Sequence, residues 1–179
     1  DLVDLEDATM NDAATEGFTV ISTSTGNITG STGNDALTNT SGAAQYTGLA
    51  GVDTFTVTAD AVTITDLGAG NSADIVTVAS GASVTATATA NWAATSATKN
   101  LGSQAADFHI KATAVSVDLT NAAAVTAATD GYKVTHGGSA NVTGSIGNDI
   151  IIKSGGDSTI TGLAGDDNIT GAGEIGRAS

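Results

Sequence analysis

The chain has neither cysteine nor proline among its 179 residues, and only five lysines and arginines against nineteen aspartates and glutamates. Without cysteine there is no disulfide framework, so an extracellular protein of this composition must be stabilised by other means. Without proline no strand loses a ladder hydrogen bond, as stacked strands require. Aromatic residues make up 3% of the chain, too few for a thick core of large side chains. A regular stack of small β-forming residues is the architecture left open. The net charge of −14 argues against nucleic acid, whose phosphates call for a basic patch, and against an anionic membrane surface. No apolar run approaches membrane-spanning length, so no membrane insertion is expected. The opening DLVDLEDATM is acidic and does not read as a signal peptide. Disorder is excluded by the regular recurrence of Val, Ile, Leu and Thr and by a slightly positive mean hydropathy.

Repetition takes the place of bulk. Setting residue i against residue i+114 aligns 3–56 with 117–170 without a gap, and 24 of the 54 positions are identical. TGSTGND (29–35) returns as TGSIGND (143–149), and TGLAGVD (47–53) as TGLAGDD (161–167). This predicts a first unit over 1–115 and the first half of a second over 116–179, a piece of a longer repetitive protein. Within each unit a nine-residue period runs through Ile28, Leu37, Tyr46, Phe55 and Ile64, then Val142, Ile151, Ile160 and Ile169. Thr follows most of these, and Gly recurs upstream at Gly33, Gly42 and Gly51, and at Gly138, Gly147, Gly156 and Gly165. Nine residues suit a short strand and a tight glycine turn, two of which make an eighteen-residue coil. The predicted fold is all-β: a parallel β-roll or β-solenoid with short glycine turns over about 16–80 and 130–171, with additional Ala/Thr-rich strands over 81–115.

The phrases GSTGNDALT (30–38), GLAGVDTFT (48–56), GSIGNDIII (144–152) and GLAGDDNIT (162–170) resemble the calcium-binding nonapeptide G-G-x-G-x-D-x-U-x of RTX proteins. The second Gly of the motif is replaced by Ser or Leu. The first and third Gly, the Asp and the apolar residue are kept. The acidic stretch 59–78 is similar to the segment that follows many RTX arrays, and the whole unit is similar to repeats of large bacterial S-layer proteins and adhesins. The resemblance implies a parallel β-roll with Ca²⁺ held between turns on one edge. It also implies secretion in an unfolded state by a type I pathway.

Calcium takes six to eight oxygens from carboxylates and carbonyls, and one turn is too small to surround it. Two turns one coil apart must share the ion. Asp35 and Asp53 are eighteen residues apart, as are Asp149 and Asp167. The candidate ligands in the first unit are therefore Gly30, Gly33, Asn34, Asp35, Gly48, Gly51 and Asp53. In the second they are Gly144, Gly147, Asn148, Asp149, Gly162, Gly165, Asp166 and Asp167. Asp74 is the expected continuation of the first set, with Asp66 or Asn71 as alternatives. The plain alternative for these carboxylates is an Asx turn that caps a tight reversal. The opposite edge has Ala44 and Ser158 where the Asp would stand, so calcium is expected along one edge only.

Trp92 and Phe108 are expected to anchor a local core or close the end of a roll. Residues 118–132 read as a short helix or a turn. His109 and His136 stand at no metal or catalytic spacing and read as surface or packing residues. No nucleophile motif is present, so an enzyme is not expected. The Thr series raises the idea of ordered water on a flat face, but Thr is also simply a good outward β residue. The sequence points to an extracellular, calcium-binding structural repeat whose partners are neighbouring copies or adjacent repeats, with a cell-surface polysaccharide also open. An adhesin stalk and a folding or secretion module for an enzyme elsewhere in the parent chain are the alternatives.

Overall fold

The computed structural model describes residues 2–8, 16–71, 73–123 and 131–171. Short strands form because β-branched residues alternate with small ones and glycine turns interrupt them every few residues. All the pairings are parallel, and the chain winds into an all-β solenoid. One sheet runs the full height. Its nine strands in order are β1 (Leu2–Asp4), β3 (Asn27–Thr29), β5 (Ala44–Thr47), β7 (Ala61–Leu67), β9 (Ser83–Ala88), β12 (Phe108–Ala112), β14 (Lys133–His136), β16 (Ile150–Lys153) and β18 (Asn168–Gly171). A five-stranded sheet faces its first half: β2 (Thr19–Ser22), β4 (Ala36–Asn39), β6 (Thr54–Val57), β8 (Ile75–Val78) and β11 (Lys99–Asn100). A four-stranded sheet faces its second half: β10 (Trp92–Ala93), β13 (Val117–Asp118), β15 (Val142–Thr143) and β17 (Ile160–Thr161).

The nine-residue period is the inward ladder. Val3, Ile28, Tyr46, Ile64, Ala86, Ile110, Val134, Ile151 and Ile169 stack in register along the nine-stranded sheet. Val20, Leu37, Phe55 and Val76 stack opposite them on the five-stranded sheet. All but the terminal Val3, Val20 and Ile169 are buried. Each such side chain withdrawn from water contributes on the order of 1.5–3 kcal/mol, and the stack repeats the gain once per coil. Thr residues lie on the other face of the strands, where Thr47 and Thr65 hydroxyls meet at 2.7 Å.

The middle of the molecule is wider than an eighteen-residue coil. Ala86, Ile110 and Val134 are neighbours in the ladder at steps of twenty-four residues. Here the chain leaves β9, passes through β10 and β11, and returns to β12, so the coil has three sides. The Ala/Thr-rich segment supplies these strands, with alternating buried and outward residues in β9 as its pattern predicts. Trp92 is 1% exposed and its indole Nε1 donates to the Asp74 carbonyl at 3.0 Å, closing the first roll. Phe108 meets Tyr132 edge to face with centroids 5.3 Å apart, at the base of the second. Of the segment 118–132, the start belongs to β13 and a turn at 120–121, and residues 124–130 lie outside the described residues.

The three-sided stretch shifts the second roll by half a coil. In the first roll the glycine–aspartate turns leave the nine-stranded sheet, between β3 and β4 and between β5 and β6. In the second they enter it, between β15 and β16 and between β17 and β18.

Candidate metal centre

The aspartates expected to line one edge form two stacked columns. In the first, residues Phe18, Asp35, Asp53 and Asp74 each precede a strand of the five-stranded sheet and so stand one above another. Asp35, Asp53 and Asp74 are at most 1% exposed. Each carboxylate reaches down to the coil before it. Asp35 Oδ1 accepts the Phe18 amide at 2.6 Å, Asp53 Oδ1 the Asp35 amide at 2.8 Å, and Asp74 Oδ1 the Asp53 amide at 3.0 Å. The second column repeats the device. Asp149 Oδ1 accepts the Tyr132 amide at 2.7 Å and Asp167 Oδ1 the Asp149 amide at 3.0 Å.

The second carboxylate oxygen serves the residue's own turn. Asp35 Oδ2 accepts the Ser31 amide and Asp149 Oδ2 the Ser145 amide, both at 2.6 Å, while Asp74 Oδ2 accepts the Gly68 amide at 2.7 Å. Asp53 breaks this pattern. Its Oδ2 is buried with no hydrogen-bond partner. Leu49, which would supply the amide, has a left-handed backbone (φ 72°) and donates instead to Asp66 Oδ2 at 2.7 Å. Asp66 also accepts the Gly48 amide at 3.0 Å. The first column thus continues through Asp74, while Asp66 clamps the turn below from outside the stack. Asn71 sits in a short 3-10 turn at 69–71.

The first glycine of each phrase is explained by the carboxylate five residues on. A Cβ at Gly30, Gly48, Gly144 or Gly162 would collide with Oδ2 of Asp35, Asp53, Asp149 or Asp167 respectively. At Gly30 and Gly144 the carbonyl of the next turn, Gly48 or Gly162, closes on the same spot, 2.8 and 2.7 Å from it. The third glycine is needed where turns press together: Gly51 and Gly165 (φ 118° and 116°) lie against the carbonyls of Gly33 and Gly147. Asn34 and Asn148 form an outer rung, accepting the amides of Val52 at 2.7 Å and Asp166 at 2.8 Å. Asp166 itself is exposed and outside the column.

Stacked carboxylates in a dry edge are electrostatically unfavourable. Burial pushes the Asp53 carboxyl up to about 8, against the relief given by the Asp35 amide and with added repulsion from Asp74, Asp35 and Asp66. Burial likewise pushes Asp149 up to about 6, against its hydrogen bonds from Ser145 and Tyr132 and with repulsion from Asp167. Among the described residues no three acidic or histidine side chains converge on one point. Any cation at these columns would therefore draw on carboxylate and main-chain oxygens together.

Other polar residues are not legible from the nonapeptide pattern. Gly102 and Asp107 repeat the Gly-to-Asp spacing of five, and Asp107 Oδ2 accepts the Ser103 and Gln104 amides at 2.9 and 3.1 Å. The shared G-S-x-x-x-D could have revealed this turn. On the edge away from the aspartates, buried donors meet inward carbonyls. Asn39 Nδ2 donates to Ser41 and Gly42, His136 Nε2 lies 2.9 Å from the Val115 carbonyl, and Lys153 Nζ donates to Gly138 and Gly155. Both histidines pack as ordinary residues: His136 is buried, and His109 lies partly buried 2.9 Å from the Thr135 hydroxyl. No protein-family model matches the chain, and no curated protein or solved structure matches it.

Proposed function

We propose that the chain is a calcium-binding structural repeat of a secreted bacterial cell-surface protein, of the S-layer or surface-array kind, whose rolls are stabilised by the ion outside the cell. The observation that carries this reading is Asp53: a buried carboxylate with one oxygen unpartnered, stacked between Asp35 and Asp74. A hard divalent cation bound by oxygens from adjacent coils would relieve that charge. The donor set fits. Asp35 Oδ2 with the Gly48 carbonyl, and Asp149 Oδ2 with the Gly162 carbonyl, converge from neighbouring turns in space that a side chain would fill. The chain would then stay loose where calcium is scarce and zip up where it is plentiful. Its work is mechanical, with no catalytic step, and its natural contacts are adjacent repeats and neighbouring copies.

One observation favours a second reading. Each column carboxylate already accepts a main-chain amide, and in this reading the aspartates are caps of which nothing more is required. Far-UV circular dichroism in chelator, followed by calcium titration and calorimetry, separates the two. A coil-to-β transition with calcium, absent with magnesium and weakened in Asp35→Ala/Asp149→Ala, supports calcium. An unchanged β spectrum in chelator with no heat of binding leaves only the caps.

A further inference from the structure

The few exposed bases are not scattered. His109 and Lys111 on β12 and Lys133 on β14 lie on the outer face of the nine-stranded sheet, with His109 directly beside Lys133. Lys111 is exposed, while Lys133 and His109 are half-buried. Lys153 is buried against carbonyls, so among the described residues these two lysines form the densest positive patch, on a chain of net charge −14. Their outward neighbours are Thr85 and Thr87 on β9, Thr135 on β14, and Ile150 and Ile152 on β16, none of them acidic. His109 is held down to about 4 by its burial, with Lys133 and Lys111 adding to the effect, so the imidazole is neutral and the strip's charge is that of the lysines.

The opposite charge is also concentrated. Asp4, Glu6 and Asp7 place three exposed carboxylates within four residues, on a turn in which Asp4 Oδ1 accepts the Glu6 amide at 3.1 Å. The equivalent turn of the second unit, where Asp118 Oδ1 accepts the Thr120 amide at 2.9 Å, sits between stacked coils, and Thr120 and Asn121 are exposed there. The turn therefore points to the side of the rod, not along its axis.

We propose that the strip of His109, Lys111 and Lys133 receives the Asp4–Asp7 turn of a second copy of this chain, giving the lateral contact of the array. This deepens the surface-array reading and rests on it. Lys111 and Lys133 are on adjacent strands and two positions out of register, roughly 8 Å apart at the backbone, a span that two carboxylates of one turn can bridge. The two patches are different surfaces, so the contact is heterologous and builds open chains or rings in place of a two-fold dimer. It is also weak and salt-sensitive, because each exposed pair contributes little.

Sedimentation velocity tests this with two charge reversals, Lys111→Glu/Lys133→Glu and Glu6→Lys/Asp7→Lys. In low salt with calcium, the wild type should form species larger than dimers, and about 0.5 M NaCl should return it to monomer. Each variant alone should be monomeric. Their mixture should assemble again beyond the dimer, with the two variants alternating, because the native turn meets the native strip and the reversed turn meets the reversed strip. Wild type that stays monomeric at low salt, a Lys111→Glu/Lys133→Glu variant that still assembles, or a mixture that stays monomeric would overturn the proposal. Retention of monomeric wild type on dextran sulfate, lost in the lysine variant, would also overturn it and assign the strip to an anionic polymer. Circular dichroism of the same samples in calcium and chelator reports on the calcium reading independently.

Discussion

Replacing Asp53 by Asn separates a buried charge from a buried acceptor. Asparagine keeps an oxygen to accept the Asp35 amide, now at 2.8 Å, and removes the negative charge. The Asp53 carboxyl rises from 3.8 to about 8 in the folded chain, so between those values the native state holds more protons than the unfolded one. Stability from this group is then complete below about pH 4 and is lost as pH rises through 8. At about 1.4 kcal/mol per pH unit, the metal-free wild type at pH 7 has given up on the order of 3–4 kcal/mol relative to pH 4. Asp53→Asn does not pay this. Urea unfolding in chelator should find the variant more stable at pH 7 by that order, with an unchanged m-value and no advantage at pH 4. The pH dependence of the difference is the test, because packing of the new amide against Gly48 contributes at every pH alike. In calcium the ordering should narrow or reverse, since the ion stabilises the wild type by mass action and finds one carboxylate fewer in the variant. A variant less stable than wild type at pH 7 in chelator would refute the charge argument. A variant equally improved with and without calcium would refute a cation at Asp53.

The same linkage predicts that metal-free stability falls between about pH 4 and 8, with Asp149, at about 6, adding to Asp53; unfolding of Asp53→Asn/Asp149→Asn across that range should be flatter. Gly48→Ala, which drives a methyl into the Asp53 carboxylate, should cost more than about 2 kcal/mol, while Gly137→Ala, whose nearest contact would be 3.6 Å, should stay within about 0.5 kcal/mol, both read by urea midpoint. Lys153→Met should cost about 1–3 kcal/mol by leaving the Gly138 and Gly155 carbonyls unmet. Lys153→Asn combined with Ile160→Tyr copies the first unit's Asn39 and Tyr46, whose hydroxyl lies by Ser22 and Asn39 without meeting hydrogen-bond geometry. A double-mutant cycle should show at least about 0.5 kcal/mol of favourable coupling between those two changes.

The inward ladder was legible because a parallel coil keeps equivalent residues at a fixed step. Ile28, Tyr46 and Ile64 are eighteen apart in sequence and directly paired in space. The aspartate columns were legible for the same reason. What the period could not report is where it fails. Phe55 pairs with Val76 across twenty-one residues and Ile64 with Ala86 across twenty-two, and these lengthened steps lead into the three-sided coils. Composition alone does not say whether extra residues make a loop or a third side, so the half-coil shift of the second roll was hidden. The direction of the carboxylates was hidden too. An Asp after a glycine turn can face solvent, an ion or the amide of the coil below, and only the stacking of Phe18, Asp35, Asp53 and Asp74 decides. Lys153 was missed because nothing local marks it as buried; it is inward only because it shares a strand face with Ile151, as His136 does with Val134.

The placement of positive charge bears on what the columns need. The edge away from the aspartates presents carbonyls inward, and in the second roll a lysine supplies its own cation there. The aspartate edge presents amides inward, and carboxylates meet them. An amide satisfies a carboxylate's hydrogen-bonding need but carries no net charge, so the stacked negative charges remain to be balanced. The described lysines are all elsewhere. Lys153 is on the carbonyl edge, Lys111 and Lys133 are on the outer face of the nine-stranded sheet, and Lys99 lies beside Thr77 on the outer side of β11. The chain does contain a way to bring an ammonium into its interior, and at the columns it does not use it. Among the described residues, then, the counter-charge for Asp53 and Asp149 is not built in. It must be a proton, which weakens the fold as pH rises, or a cation from the medium, which reverses that dependence. The sign of the pH dependence with and without calcium therefore distinguishes a capped solenoid from an ion-dependent one.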